Sequence, residues 1–168
     1  KGKVIGSEDV NIDILMKGLF EKPSKVKRKD CENNWAELVC AITILHPNIT
    51  TKDDIINNWE SIKKDKRLQV SDDNTLNNYY QDVMLHSDEE IKDYIDKHSP
   101  PVKQVPLKKV FLVGKSYKSF PELVALNGKR NIKKTKSDIY IQYENDEFIG
   151  VSVKASSGCT MTNYSVEK

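Results

Sequence analysis

The sequence predicts an α/β or α+β domain: a mixed β-sheet flanked by helices, with a helical N-terminal part. Three observations predict it. Apolar residues recur at helical spacing through the first hundred positions, and the pattern changes to strand-like runs after Pro100-Pro101. Two alternating segments, 137–143 and 148–155, then flank the turn-like Glu144-Asn145-Asp146-Glu147. At 168 residues there is room for one domain, which buries about 70% of its extended-chain surface without a disulfide or metal staple. Within it, residues 1–99 form the mainly helical part and 107–168 the hairpin part.

Composition narrows the class. With 38% apolar residues, 31% charged residues and a net charge of +2, the chain is neither a disordered tail nor a fibre. Its longest apolar stretch, Leu38 to Leu45, is far below the ~18 residues needed to cross a bilayer. The expectation is therefore a soluble intracellular (cytoplasmic) protein without membrane attachment. The chain opens on Lys1 rather than Met, so it reads as a fragment or a processed product; a truncation after Lys168 would leave part of the helix expected at Glu167 outside it. Cys31, Cys40 and Cys159 match no C-x-x-C spacing and read as reduced thiols; His46, His86 and His98 are too scattered to complete a metal set with them.

Taking the elements in order, Asp9 can cap a helix with Val10, Ile14 and Leu15 on one face and Phe20 near its end, followed by a basic loop from Lys22 to Lys29. Trp35, Leu38, Val39, Ile42 and Leu45 mark the next helix, from Asn34 to Leu45, which Pro47 closes. Thr51 precedes a third through Ile55, Ile56 and Trp59. Ser87 and Glu90 form a capping box for a helix through Ile91 and Ile95. The run Lys109 to Gly114 suits a buried strand. Ser119 can cap a short helix that starts at Pro121 and stops at Asn127-Gly128. The polar segment 129–136 precedes the two hairpin strands, and Ser156-Ser157-Gly158-Cys159-Thr160 is a turn leading toward a further helix.

The net charge conceals an asymmetry. Residues 1–100 carry 15 basic and 19 acidic groups, whereas residues 101–137 carry ten basic groups against the single acid Glu122. A concentrated positive stretch beside an acidic one suits a polyanion lying on the first and a cation held by the second. Val110 to Ser116 imitates the end of a phosphate-binding loop, but Lys109 stands where that loop needs a glycine, so the run reads as a core strand with Lys115 as a phosphate contact.

In the hairpin, Ile139, Ile141 and Tyr143 share one face with Ile149, Val151 and Val153. Asp138, Tyr140 and Gln142 share the other with Gly150, Ser152 and Lys154. A three-residue turn over Asn145–Glu147 pairs Ile139 with Val153 and Ile141 with Val151. It sets Asp138 directly beside Lys154, with Ser152 next to them, on a wet polar face. A carboxylate so placed can hold Mg²⁺, which takes only one or two protein carboxylates; the ammonium can orient water or neutralise charge on phosphorus oxygens.

Lys136-Ser137-Asp138, a strand, a turn and Val151-Ser152-Val153-Lys154 resemble the active-site hairpin of PD-(D/E)XK nucleases, type II restriction endonucleases in particular, over about 35 residues. The resemblance implies a restriction-endonuclease-like mixed sheet and Mg²⁺-dependent hydrolysis of double-stranded DNA at a short defined site, leaving a 5′-phosphate. It assigns Asp138 as metal ligand, Lys154 as catalytic lysine and the Val153 carbonyl as a further ligand. Ser137 stands where the family name has proline, and Ser152 where the second acid is usual, the Ser-x-Lys arrangement of some restriction enzymes. The missing carboxylate is then sought in Glu167, 13 residues beyond Lys154 on the expected following helix. Glu37 on the early helix comes second, because the family often places such a glutamate beside the metal, and Glu122 third.

Lys129, Arg130, Lys133, Lys134 and Lys136 are placed to neutralise DNA phosphates beside the cut, contacts that position without reading sequence. Ser156, Ser157 and Asn163, with Gly158 and Thr160, suit close backbone or groove approach. A palindromic target would favour a two-fold homodimer. Two other readings compete: a structure-specific repair or resolvase nuclease that keeps the hairpin, and a noncatalytic nucleic-acid-binding module in which Ser152 marks a decayed site.

Overall fold

The structure, a computed structural model, describes residues 34–97, 104–114, 117–128, 137–155 and 162–165. The expected first helix after Asp9 and the basic loop from Lys22 to Lys29 lie outside them.

The described part is α+β: five α-helices and a five-stranded mixed sheet. Helix α1 (Asn34–Leu45) has the bounds its sequence predicts, but it is not amphipathic. Trp35 through Ile42 are buried on every side, as a helix apolar all round requires. It packs on the sheet strand Leu107–Leu112 and on two later helices. Its N-terminus is held from afar: the Trp35 amide donates to Asp82 Oδ2 at 3.0 Å.

Helix α2 (Lys52–Lys63) begins at the expected Thr51. Thr51 Oγ1 accepts from the Asp54 amide at 3.1 Å, and Asp54 Oδ2 accepts from the Thr51 amide at 3.0 Å, a reciprocal capping box. Its inward stripe is Ile55, Trp59 and Ile62; Ile56, expected in the stripe, is 42% exposed. The two-residue strand β1 (Leu68–Gln69) and helix α3 (Asp73–Leu85) follow, neither of them anticipated. Asp72 caps α3 by accepting from the Thr75 amide at 2.7 Å, and the helix buries only Leu76, Tyr79 and Val83. Lys52 of α2 secures its far end, with Nζ donating to the carbonyls of His86 (2.7 Å) and Met84 (3.3 Å). Helix α4 (Asp88–Lys97) opens with the predicted Ser87–Glu90 box and turns Ile91 and Tyr94 inward.

Strand β2 (Leu107–Leu112) leads through a 3₁₀ turn (Tyr117–Ser119) into helix α5 (Pro121–Gly128). Pro121 occupies the expected first turn. Ser119 does not cap, because it belongs to the 3₁₀ turn, and the Phe120 carbonyl accepts from Leu123 and Val124 instead. Strands β3 (Ile139–Tyr143) and β4 (Phe148–Ser152) form the predicted hairpin, and β5 (Thr162–Ser165) adds an outer strand where a helix was expected to start. The order is β1-β2-β3-β4-β5, with β1 parallel to β2 and the other pairs antiparallel.

Both sheet faces are covered. Val110, Leu112, Ile139, Ile141, Tyr143, Ile149, Val151 and Val153 share the main core with α1 to α4. On the other face Phe111, Val113 and Tyr140 pack against Phe120 and Leu123, with Phe111 and Phe120 edge to face at 5.6 Å. The hairpin face expected to be wet is therefore interior: Tyr140, Gln142, Gly150 and Ser152 are all buried. Phe120 and Leu123, at the start of α5, supply apolar cover that the hairpin's own sequence does not reveal. Among the described residues no helix is long and apolar enough to cross a membrane.

Candidate active site at the mouth of the hairpin

The hairpin turn is three residues long but lies one position earlier than the sequence suggested. The Tyr143 amide donates to the Glu147 carbonyl (3.0 Å) and the Asp146 amide to the Tyr143 carbonyl (2.9 Å), with Asp146 at φ +59°. A three-residue turn ending in a left-handed residue is a common hairpin closure, and aspartate tolerates that region better than most side chains. The consequence is a register of Ile139 opposite Val151 and Ile141 opposite Ile149, not Val153 and Val151. The strand shifts by two residues, which preserves which side chains share a face but changes who stands across from whom.

Asp138 thus lies level with Ser152 rather than Lys154. It sits one residue before β3 and is held on three sides. Its amide donates to the Val151 carbonyl at 2.9 Å and its carbonyl accepts from Val113 at 3.0 Å. Its carboxylate Oδ2 accepts from the Val153 amide at 2.7 Å and from Ser152 Oγ at 3.3 Å. Oδ1 has no hydrogen-bond donor among the described residues. Lys154 follows two positions beyond Ser152, exposed, with no ion pair to a carboxylate among the described residues.

On the α1 side of this carboxylate lies a buried polar group. Glu37, only 9% exposed, accepts from the Tyr79 hydroxyl at 3.0 Å. Burial pushes the Cys40 thiol up to about 12, with the neighbouring Tyr94 hydroxyl opposing the rise and the negative charges of Glu37 and Asp138 adding to it. The Tyr94 hydroxyl is pushed up mainly by burial and also by both carboxylates. Glu37 from the first helix and Asp138 from the hairpin thus act on the same two side chains.

Glu122 is otherwise engaged. It forms a 2.7 Å ion pair with Lys109, whose hydrogen bond holds its carboxyl below the usual range, so its charge is already neutralised. Lys108 is likewise committed, to Asp146 at 2.9 Å. Glu167, Lys115, Lys129, Arg130, Lys133, Lys134, Lys136, Ser156 and Ser157 lie outside the described residues. Asn163 falls on β5 opposite Val151, not on a turn or helix.

Tyr79 and Tyr94 were not anticipated at the site. The signal for Tyr79 was faint: Leu76, Tyr79 and Val83 give α3 a stripe only one residue wide in an otherwise polar helix.

Among the described residues no three His, Cys, Asp or Glu side chains gather as a metal cage. Mg²⁺ does not need one, since it is usually held through one or two carboxylates with water and substrate phosphate completing its octahedron. Asp138, with one oxygen anchored and the other without a donor among the described residues, fits that demand, and Glu37 is the second carboxylate that acts on Cys40 and Tyr94. No family model, curated protein or solved structure matches the chain.

Proposed function

We propose that this protein is a Mg²⁺-dependent endonuclease that hydrolyses phosphodiester bonds of double-stranded DNA, a Ser-x-Lys variant of the PD-(D/E)XK kind and site-specific in the manner of a type II restriction enzyme. The observation that carries the reading is the Asp138 carboxylate, fixed by Ser152 Oγ and the Val153 amide where the Ser152-x-Lys154 segment leaves the sheet. The antiparallel succession β2-β3-β4, the buried Glu37 of α1 and the net positive segment 101–137 support it.

In this reading Asp138 and Glu37 hold the cation, and the Val153 carbonyl is a further candidate ligand. When bound, Mg²⁺ neutralises charge on the scissile phosphate and lowers the pKa of a coordinated water. Ser152 is a positioning residue rather than a ligand, because its hydroxyl is spent on Asp138. Lys154 is the catalytic amine, exposed to incoming DNA, where its ammonium neutralises charge developing on the phosphate oxygens. Further basic residues of the segment, Lys129, Arg130, Lys133, Lys134 and Lys136 among them, supply phosphate contacts in this reading. A two-fold dimer on a palindromic site and a cytoplasmic location complete the proposal.

Plasmid DNA of known sequence incubated with Mg²⁺ tests it. Discrete bands from wild type, and retention without cleavage by Asp138→Ala and Lys154→Ala, are expected. Salt-sensitive DNA binding without cleavage in any form, wild type included, would instead establish a noncatalytic binding module.

A further inference from the structure

We infer that Tyr79 is a positioning residue that holds Glu37 in its cation-binding geometry, an inference that rests on the proposed metal site and deepens it. Glutamate has a long side chain, and a carboxylate that must meet a cation at a fixed place gains from a partner that removes its rotamer freedom. Tyr79 supplies this from α3. The residue is only 5% exposed, and its hydroxyl donates to Glu37 Oε2 at 3.0 Å.

The hydroxyl itself lies against the backbone just beyond β2, the strand that neighbours the one Asp138 opens. Gly114 ends the β2 segment with φ +56°, and a Cβ added there would lie 2.9 Å from the Tyr79 oxygen. Only a residue without a side chain lets the backbone approach the hydroxyl so closely in this left-handed conformation. Gly114 follows Val113, whose amide donates to the Asp138 carbonyl at 3.0 Å. A short run of contacts therefore leads from Glu37 through Tyr79, Gly114 and Val113 to Asp138, so the tyrosine fixes one carboxylate relative to the backbone that carries the other.

The chemistry of the donor also matters. Lys109 cancels the charge of Glu122 in its ion pair. A phenol is neutral, so its hydrogen bond orients Glu37 without adding a charge of its own.

The experiment measures Mn²⁺ binding, as a stand-in for Mg²⁺, to the full chain without DNA, alongside the Mg²⁺ dependence of plasmid cleavage. Wild type, Tyr79→Phe, Glu37→Gln and the double variant form a cycle that separates coupling from general loss of fold. Tyr79→Phe should weaken Mn²⁺ binding about 10-fold and raise the half-saturating Mg²⁺ for cleavage to match, with little change in rate at saturating Mg²⁺. It should have no further effect in the Glu37→Gln background. Unchanged affinity in Tyr79→Phe, or the same weakening in both backgrounds, would overturn the inference while leaving the nuclease reading intact. Wild type that neither binds Mn²⁺ nor cuts DNA would overturn that reading, and the inference with it.

Discussion

Asp138 and Val153 are joined across the mouth of the hairpin by a 2.7 Å hydrogen bond in which a side-chain carboxylate, not a backbone carbonyl, receives the amide. The bond extends the pairing of β3 and β4 past their last ladder pair and aims the carboxylate along the edge where Lys154 emerges. A hydrogen bond to an ionised group is worth about 1.5–3 kcal/mol, enough to fix one rotamer. The same residue is thus both the hairpin's clasp and the proposed metal ligand.

Asp138→Asn separates these two roles, since the amide oxygen can still accept from Val153 while the charge is gone. Cleavage is expected to fall by at least about 10²-fold, the scale of removing one preorganised charge-stabilising group. The melting temperature should move little. Asp138→Ala loses both the charge and the clasp, so it should show the same kinetic loss with a lower melting temperature. Kinetics and thermal unfolding on the two variants check this; equal melting temperatures would show that the clasp contributes nothing to stability.

Ser152 stands where a second acid would bring another negative charge beside Asp138. Because Ser152 is only 8% exposed, the carboxylate of Ser152→Asp would be partly desolvated next to a like charge. The metal-free variant should unfold at lower temperature than wild type at pH 7, and saturating Mg²⁺ should recover most of the difference, because a cation that binds only the folded state stabilises it by mass action. Thermal melts with and without Mg²⁺ measure this. An identical deficit under both conditions would mean that no cation reaches position 152.

Several elements were legible in the sequence because local signals and burial agree. Pro47 and the dense apolar pattern bound α1, and Thr51 and Ser87 cap the helices they precede. The hairpin's faces were legible too, since alternation fixes the register modulo two. Its absolute register was not, because four consecutive polar residues, Glu144 to Glu147, admit more than one turn and only Asp146 at φ +59° selects among them. Helix α3 is not legible because Leu76, Tyr79 and Val83 are too sparse a stripe among Asn, Asp and Gln, and β5 is not because Thr162-Asn163-Tyr164-Ser165 lacks an apolar alternation and is a strand only through its ladder with β4. At the candidate site the alternation puts Asp138, Ser152 and Lys154 on one face, but the expected turn sets Asp138 opposite Lys154 where the ladder sets it opposite Ser152; Glu37 on α1 comes from the resemblance alone. The burial of that hairpin face was hidden, because its cover comes from Phe120 and Leu123, which lie outside the hairpin.

Helix α1 carries Glu37, and its first turn depends on a residue 47 positions away. Asp82 Oδ2 accepts the Trp35 amide at 3.0 Å, satisfying one of the donors that a helix N-terminus leaves open. Asp82→Ala should cost about 1 kcal/mol, seen as a fall of about 2–4 °C in melting temperature for a chain of this size. Asp82→Asn, which keeps an acceptor, should recover much of it. If the alanine and asparagine variants melt together below wild type, the charge of Asp82 rather than its hydrogen bond is what α1 requires.

Cys40 provides a pH signature of the buried polar group. Burial raises its thiol from 9.0 to about 12, with the charges of Glu37 and Asp138 adding to the effect. The folded state then holds the thiol proton more tightly than the unfolded state. The resulting stabilisation is fully present below about pH 9 and declines as pH rises through the interval from about 9 toward 12. Cys40→Ala removes this term, so its stability should fall less steeply with pH above 9 than that of wild type, while its deeper baseline loss at pH 7 reflects the small cavity left in α1. In a background with Cys31 and Cys159 replaced by serine, iodoacetamide at pH 8 should leave Cys40 unmodified until denaturant is added. Denaturant unfolding from pH 7 to 10 and the alkylation time course read the two effects separately, and rapid labelling of the native protein would show that the thiol is neither buried nor suppressed.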